Sequence, residues 1–290
     1  MKKISILLFV LLLLAGCASS DHNSHPSDAD KVLFTGPNNV SYTKDDLYRS
    51  LKLANADTIA SDILDHIALK LDGIDMEAIN KEADEIIETY QSIGYESYII
   101  SYYGSIDAYR KSYISSMLLS ELSKAYVNED FDHLVEEKKP IKMQVAAFDT
   151  IEDAQQCIDD TNNGSTFDMA AVNNNAQAAP QSSIYTDDDT TLVYEVKEYV
   201  NSTDQTGLST IITSVVSSQD ASGNVNETNT YYVLNIESRD VNEFKDEFIE
   251  HQASATDAET VKEHYLTNHS IEFFDQDLYE IMSAKYEAFK

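Results

Sequence analysis

Positive charge is what this chain has least of. Twenty Lys and Arg stand against 51 Asp and Glu, a net charge of −31 over 290 residues. That balance excludes nucleic acid as a partner, because phosphate neutralisation needs clustered Lys and Arg. It equally excludes polybasic docking onto anionic lipid headgroups. What remains is a colloidal role, like charge keeping an exposed protein soluble, and a weak attraction for basic partners. Tryptophan is absent, so the aromatic content is 18 Tyr and 10 Phe. Cysteine occurs twice, at 17 and 157. The apolar run Ile4 to Leu14 covers 11 residues, too short to span a bilayer as a helix. There is no Gly-rich phosphate loop, no Ser nucleophile elbow and no repeat of 20–50 residues. A hydrophobic content of 42% is enough for real cores and excludes wholesale disorder. The length gives room for two or three domains.

The N-terminus sets the expected compartment. Lys2 and Lys3 precede the apolar run, and Leu14-Ala15-Gly16-Cys17 follows it. This resembles the lipobox of bacterial lipoproteins, with small residues for peptidase access and a thiol at Cys17 to carry diacylglycerol. Two or more acyl chains anchor stably where one is marginal. The resemblance implies a signal peptide over 1–16, a lipidated Cys17, and residence at the cell membrane on its extracytoplasmic face. Cleavage removes Lys2 and Lys3 and takes the net charge from −31 to −33. With Cys17 lipidated, Cys157 has no partner and the fold owes nothing to an internal disulfide. Residues 17–30 are polar and aperiodic and read as a flexible tether, in which His22 and His25 are simply tether histidines.

From 31 to 139 the spacing predicts a helical lobe. Thr43 caps a helix with Asp45 and Asp46 in its first turn and Leu47, Leu51 and Leu53 behind. Ile59, Ile63, Leu64, Ile67 and Leu71 form a second stripe. Met76 to Tyr90 forms a third, and Ile106, Tyr109, Tyr113, Met117, Leu118 and Leu122 a fourth. Most of these residues are expected in the core. The surplus Tyr95, Tyr98, Tyr102, Tyr103, Tyr109, Tyr113 and Met117 also suits an adaptable apolar surface for unfolded chain. "VEEKKP" at 135–140 reads as a charged hinge, after which the period changes. Residues 141–148 read as a strand, then two helices follow, the second capped by Ser165 or Thr166. The stretch 191–200 fits strand or helix. Two β-rich runs, near 208–218 and 230–238, are joined by a hairpin candidate at Gly223-Asn224. Helical character returns from Asp240 to the end.

The segment "VAAFDTIEDAQQCIDDTNNGSTFDMAA" resembles the opening of a parvulin domain: strand, Asp-containing turn, helix, Gly164, then Phe167 and a small-residue helix. "TYYVLNIES" resembles that family's closing strand. "GPNNVSYTKDDLYRSLK" and "IEFFDQDLYEIMSAKY" resemble the two ends of PrsA-type foldases, with a more distant likeness to SurA and trigger-factor lobes. The resemblance implies a lipid-anchored foldase whose helical lobe, built from both termini, cradles unfolded secreted clients. It also implies a middle domain of the peptidyl-prolyl isomerase type.

The residues that isomerase chemistry would need are missing. Parvulins use a histidine pair on the first and last strands, a Cys or Asp beside them, and a Met/Phe-lined proline slot. Here no His lies between His133 and His251, and no Met or Phe between Met169 and Phe244. The first-strand position falls near Gln144 or Val145 and the last-strand position near Tyr232. Cys157 falls on a helix, and no glycine turn occurs between Gly164 and Gly207. Tyr185, Tyr194 and Tyr199 are the residues from which a different apolar slot could be built. Asp187-Asp188-Asp189 lacks the Gly turn and terminal Glu of an EF-hand. His264 and His269 lack ligand partners at zinc spacing.

The expected architecture is therefore α+β: a helical chaperone lobe over 31–139 completed by 241–290, with a parvulin-like domain inserted over 140–240. The expected function is a membrane-anchored chaperone for unfolded secreted proteins, with no catalytic residue, cofactor, metal or nucleic acid, and a lobe shape compatible with a homodimer. An active isomerase of the parvulin family and a surface receptor or adhesin are the alternatives.

Overall fold

The computed structural model describes residues 24–219 and 225–290. Residues 1–16, read above as a signal peptide, together with Cys17, His22 and the Gly223-Asn224 tip, lie outside the described residues. The fold is α+β.

In chain order, β1 (Val32–Thr35) and β2 (Ser41–Thr43) form an antiparallel ribbon closed by a one-turn 3-10 helix at Pro37–Asn39. Five helices follow: α1 (Lys44–Ala54), α2 (Ala56–Ala68), α3 (Met76–Ser92), α4 (Glu96–Tyr103) and α5 (Ile106–Glu129). Next come α6 (Phe131–Lys138), β3 (Ile141–Phe148), α7 (Ile151–Asn162), α8 (Phe167–Asn173), β4 (Ser183–Tyr185) and α9 (Tyr194–Ser202). Strands β5 (Gly207–Leu208), β6 (Ile212–Gln219) and β7 (Val225–Ser238) complete the sheet. Three helices end the chain: α10 (Lys245–Ala255), α11 (Ala258–Asn268) and α12 (Gln276–Lys285).

The chain divides into two compact units: Met1–Glu121 with Asp257–Lys290, and Leu122–Thr256. The divisions fall within α5 and between α10 and α11. Residues 122–139 and 241–256 therefore pack with the middle block, beyond the 140–240 span that the hinge at Pro140 suggested. The reason is apolar. Val127, Ile249 and Ala253 are buried together with Phe131 and Leu134 against them. Phe244 and Phe248 pack with Ile184 of β4.

In the first unit, Thr43 accepts a hydrogen bond from the Asp46 N–H (3.2 Å), and the Asp46 carboxylate accepts one from the Thr43 N–H (2.8 Å). This reciprocal cap starts α1 where the sequence placed it. The leucines behind it are not core: Leu51 and Leu53 are 52% and 63% exposed, and the residue α1 buries is Lys52. Residues 24–30 are seated rather than free. The Ser24 N–H donates to Asp275 (2.9 Å), His25 meets Asp45 at 2.8 Å, and the Asp45 N–H donates to the Ala29 carbonyl (3.1 Å). The core of the unit holds Ala60, Leu64, Ile67, Ala83, Ile87, Leu118, Val261, Leu266 and Met282.

In the second unit, β7 is the sheet's centre, paired antiparallel with β3, β5 and β6, while β4 flanks β3. Strand alternation sends Ala146, Phe148 and Val233 to one face, under α7 and α8. It sends Met143, Leu234 and Ile236 to the other, under Val196 and Val200 of α9. The ambiguous 191–200 stretch is thus largely helix. Its Val196 and Val200, four apart, supply the apolar stripe that the sheet needs.

Candidate functional site

The parvulin-like positions can be placed by register. Val145 lies opposite Leu234, and Tyr232 opposite Ala147, so Val145 and Tyr232 are diagonal neighbours on one sheet face. Gln144 lies opposite Asn235 on the other face, where its amide oxygen accepts from the Asn235 side chain (3.0 Å). Of the two first-strand candidates only Val145 shares a face with Tyr232. Neither can accept and return a proton near neutrality. The Tyr232 phenol is pushed up by burial and then by the nearby Glu195 carboxylate. The face is already packed: Val145, Leu192, Val193, Tyr185, Tyr199 and Tyr232 lie against its buried residues.

The other sequence candidates do not converge there. Tyr185 and Tyr199 pack onto the same face, but Tyr194 is 72% exposed, so the three build no slot. Cys157 is fully buried on the opposite face, and burial pushes its thiol up to about 11, an unreactive protonated state. The acidic run is paired with the hinge lysines, Lys138 to Asp188 (2.6 Å) and Lys139 to Asp187 (3.0 Å). Asp189 accepts from the Thr191 backbone and hydroxyl. His269 meets the Tyr265 carbonyl at 2.9 Å, and the His264 ring packs edge-on against Tyr265. Among the described residues no group of three or more His, Cys, Asp or Glu is arranged to hold a metal.

What the structure does bring together is tyrosine. Helix α4 reads ESYIISYY and buries only Ile99. Gly104, at φ 83°, ends it in a left-handed turn that favours glycine, and α5 begins two residues later. The rings then meet in a closed circuit. Centroids lie 6.3 Å apart for Tyr90–Tyr95, 6.1 Å for Tyr95–Tyr98 and 6.3 Å for Tyr98–Tyr102. The circuit continues at 5.3 Å for Tyr102–Tyr103, 5.0 Å for Tyr103–Tyr109 and 6.0 Å back to Tyr90. Tyr113 extends it from Tyr109 and donates to Glu82 (2.9 Å).

The inner members, Tyr90 and Tyr109, are half-buried. The outer ones are not: Tyr98 is 61% and Tyr102 74% exposed, flanked by exposed Ile93, Tyr95 and Ile100. Burial first, then its neighbours Tyr90, Tyr103 and Tyr113, raise the Tyr109 phenol, so it stays neutral at physiological pH. The residues of this patch were visible in the sequence as a tyrosine surplus, but α4 itself was not. Its apolar side chains surround the helix and give no stripe to detect.

No family model and no curated protein matches the sequence. Several solved structures resemble the fold. One is the peptidylprolyl isomerase PrsA of Bacillus cereus, at 16% identity and a TM-score of 0.47, covering 89% of this chain and 98% of that one. Another is the foldase protein PrsA of Streptococcus pneumoniae, at 15% and 0.44, covering 89% and 99%. A third is PrsA of Bacillus subtilis, at 14% and 0.36, covering 88% and 99%. Over most of its length this chain is similar to PrsA structures, at sequence identities of 13–16%.

Proposed function

We propose that this chain is a lipid-anchored chaperone on the extracytoplasmic face of the cell membrane, holding unfolded secreted proteins, with a middle domain that no longer isomerises prolines. The observation that carries the holding role is the tyrosine circuit. A monomeric surface rarely keeps this many large side chains together in water without a partner to cover them. Tyrosine suits the task because it offers broad contact area with few rotatable bonds and a hydroxyl that tolerates water.

Magnitudes favour transient contact. A client covering about 300 Å² of this face gains roughly 7 kcal/mol at ~25 cal/mol per Å². Lost translational and rotational freedom offsets most of that. The client is held and released rather than captured.

The silent middle domain rests on Val145 and Tyr232. Isomerisation must lower a barrier of about 18–20 kcal/mol by favouring the twisted peptide bond in a proline slot. Apolar side chains occupy the face where that slot would lie. The anchor rests on the Leu14-Ala15-Gly16-Cys17 motif alone.

Two assays on the full chain test the reading: suppression of aggregation of an unfolded client, and exchange of a proline peptide. The chaperone reading expects the first positive and the second at the uncatalysed rate. A working isomerase gives both positive. A receptor or adhesin gives neither.

A further inference from the structure

The chemistry around the tyrosine circuit says what kind of client segment it takes. We infer that this face docks extended polypeptide segments in which Lys or Arg alternates with apolar residues, and disfavours acidic segments and a second copy of this chain. The inference rests on the chaperone reading and narrows it.

The helices that carry the circuit are strongly acidic. Between Asp75 and Lys111 the carboxylates are Asp75, Glu77, Glu82, Asp84, Glu85, Glu88, Glu96 and Asp107, and the cations are Lys81, Arg110 and Lys111. Each cation is already engaged: Lys81 with Glu85 (3.3 Å), Arg110 with Asp84 (2.7 Å) and Lys111 with Asp62 (2.8 Å). Glu77, Glu88 and Glu96 have no cation partner among the described residues. Glu96 opens α4 itself, two residues before Tyr98, and Glu88 precedes Tyr90 by two on α3. The helices that carry the patch are therefore net negative, with Glu88 and Glu96 left without a cation among the described residues.

Two physical effects select the same ligand. Cations accumulate near unpaired carboxylates that are close enough to escape screening, within about 10 Å at 0.1 M salt. Exposed phenol rings bind ammonium and guanidinium groups over their faces. Tyr98 and Tyr102 stack with an interplanar angle of 18° and stand mostly in water, so ring surface is open to such a group. The apolar residues of the segment would cover Ile93 and Ile100, which are 60% and 43% exposed. A second copy brings the same carboxylates to its own tyrosines, so a two-fold contact through this face meets like charge. An anionic membrane surface is repelled for the same reason.

The test uses the soluble chain without residues 1–16, with Cys17→Ser. Fluorescence anisotropy follows three labelled peptides of equal apolar content: one with Lys and Arg, one with Glu and Asp, one with Ser in those positions. The cationic peptide is expected to bind at least about tenfold more tightly than the acidic one. Its affinity should weaken as salt rises from 0.05 to ~0.5 M. Tyr98→Ser/Tyr102→Ser removes exposed rings and should abolish the preference with the melting temperature unchanged.

Glu88→Gln/Glu96→Gln should reduce the charge preference while leaving Ser-peptide binding intact. Equal affinity for all three peptides, or a preference that survives in the tyrosine variant, overturns the inference. So does concentration-dependent self-association that the tyrosine variant removes. In each of those cases aggregation suppression by the parent chain is measured separately. If it persists, the chaperone reading stands without this site; if it is absent, that reading has failed on its own.

Discussion

Lys52 and Asp275 are 223 residues apart in sequence and 2.9 Å apart in space, both almost sealed from solvent. The ammonium of Lys52 donates to both Asp275 oxygens and reaches Asp277 at 3.4 Å. Asp275 in turn caps α12, accepting from the Leu278 N–H at 2.9 Å. Nearby, the Tyr286 hydroxyl donates to Asp57 (2.8 Å), and Lys285 pairs with the same carboxylate at 2.5 Å. These bonds fasten the C-terminal helices to α1 and α2, so the helical unit is one body made from both ends of the chain.

Removing one partner of this buried pair should be costly, because it strands the other charge. Lys52→Met is expected to destabilise the helical unit by roughly 3–5 kcal/mol. The double variant Lys52→Met/Asp275→Asn should recover part of that, since Asn still caps a helix and no lone charge remains. Urea unfolding followed by far-UV circular dichroism measures both. A double variant no more stable than the single one would show that the charge itself is not what matters.

Acid should loosen this fastening in a defined window. Burial alone would raise the Asp275 carboxyl, but the Leu278 N–H, the Lys52 ammonium and the Ser24 N–H together bring it down to about 2 from 3.8. A carboxyl depressed on folding contributes stability that is complete above its unfolded value and is lost as pH falls through the folded one. The contribution, roughly 2 kcal/mol, should disappear between about pH 4 and pH 2. Thermal melts across that range check it, and Asp275→Asn should flatten the slope.

Cys157 should be inert until the middle unit opens. Its thiol is fully buried and burial holds it protonated up to about 11. In a Cys17→Ser chain, a thiol reagent at pH 8 is expected to react only under denaturant, at the unfolding midpoint. Prompt labelling of the native chain would contradict the burial.

Phe148 tests the sheet. It is fully buried between β3 and the helices α7 and α8. Phe148→Ala should cost about 3–5 kcal/mol through lost transfer energy and the cavity left behind. Hydrogen exchange should show the loss concentrated in residues 122–256, with α1 to α3 less affected.

Calcium should do nothing to the acidic run. Asp187 and Asp188 are held by Lys139 and Lys138, and Asp189 by Thr191. A bound ion would stabilise the fold by mass action, so millimolar calcium is expected to leave the melting temperature within about 1 °C.

The local signals in the chain were sufficient for many of its elements, though not for α4 or α9. The Thr43 cap, the apolar spacing of α2, α3 and α5, and the alternation of β3 all follow from short-range stereochemistry, and each appears in place. The α+β class follows from them. The missing histidines, too, are a property of the sequence alone, since no fold can supply a residue type that is absent.

Only the tertiary structure decided the rest. It put Val145 rather than Gln144 beside Tyr232, because strand pairing sets which side chains share a face. It moved 122–139 and 241–256 to the middle unit, because Phe131, Phe244 and Phe248 find their apolar partners there. It buried Lys52 and left Leu51 in water, because a carboxylate 223 residues away offered the ammonium a better site than solvent. It also closed six tyrosines into one circuit with an exposed outer edge, because the left-handed turn at Gly104 separates α4 from α5 and the rings of α3, α4 and α5 meet around it. Each is a contact between distant segments, and the pairing of distant segments is settled by burial and charge summed over the whole fold.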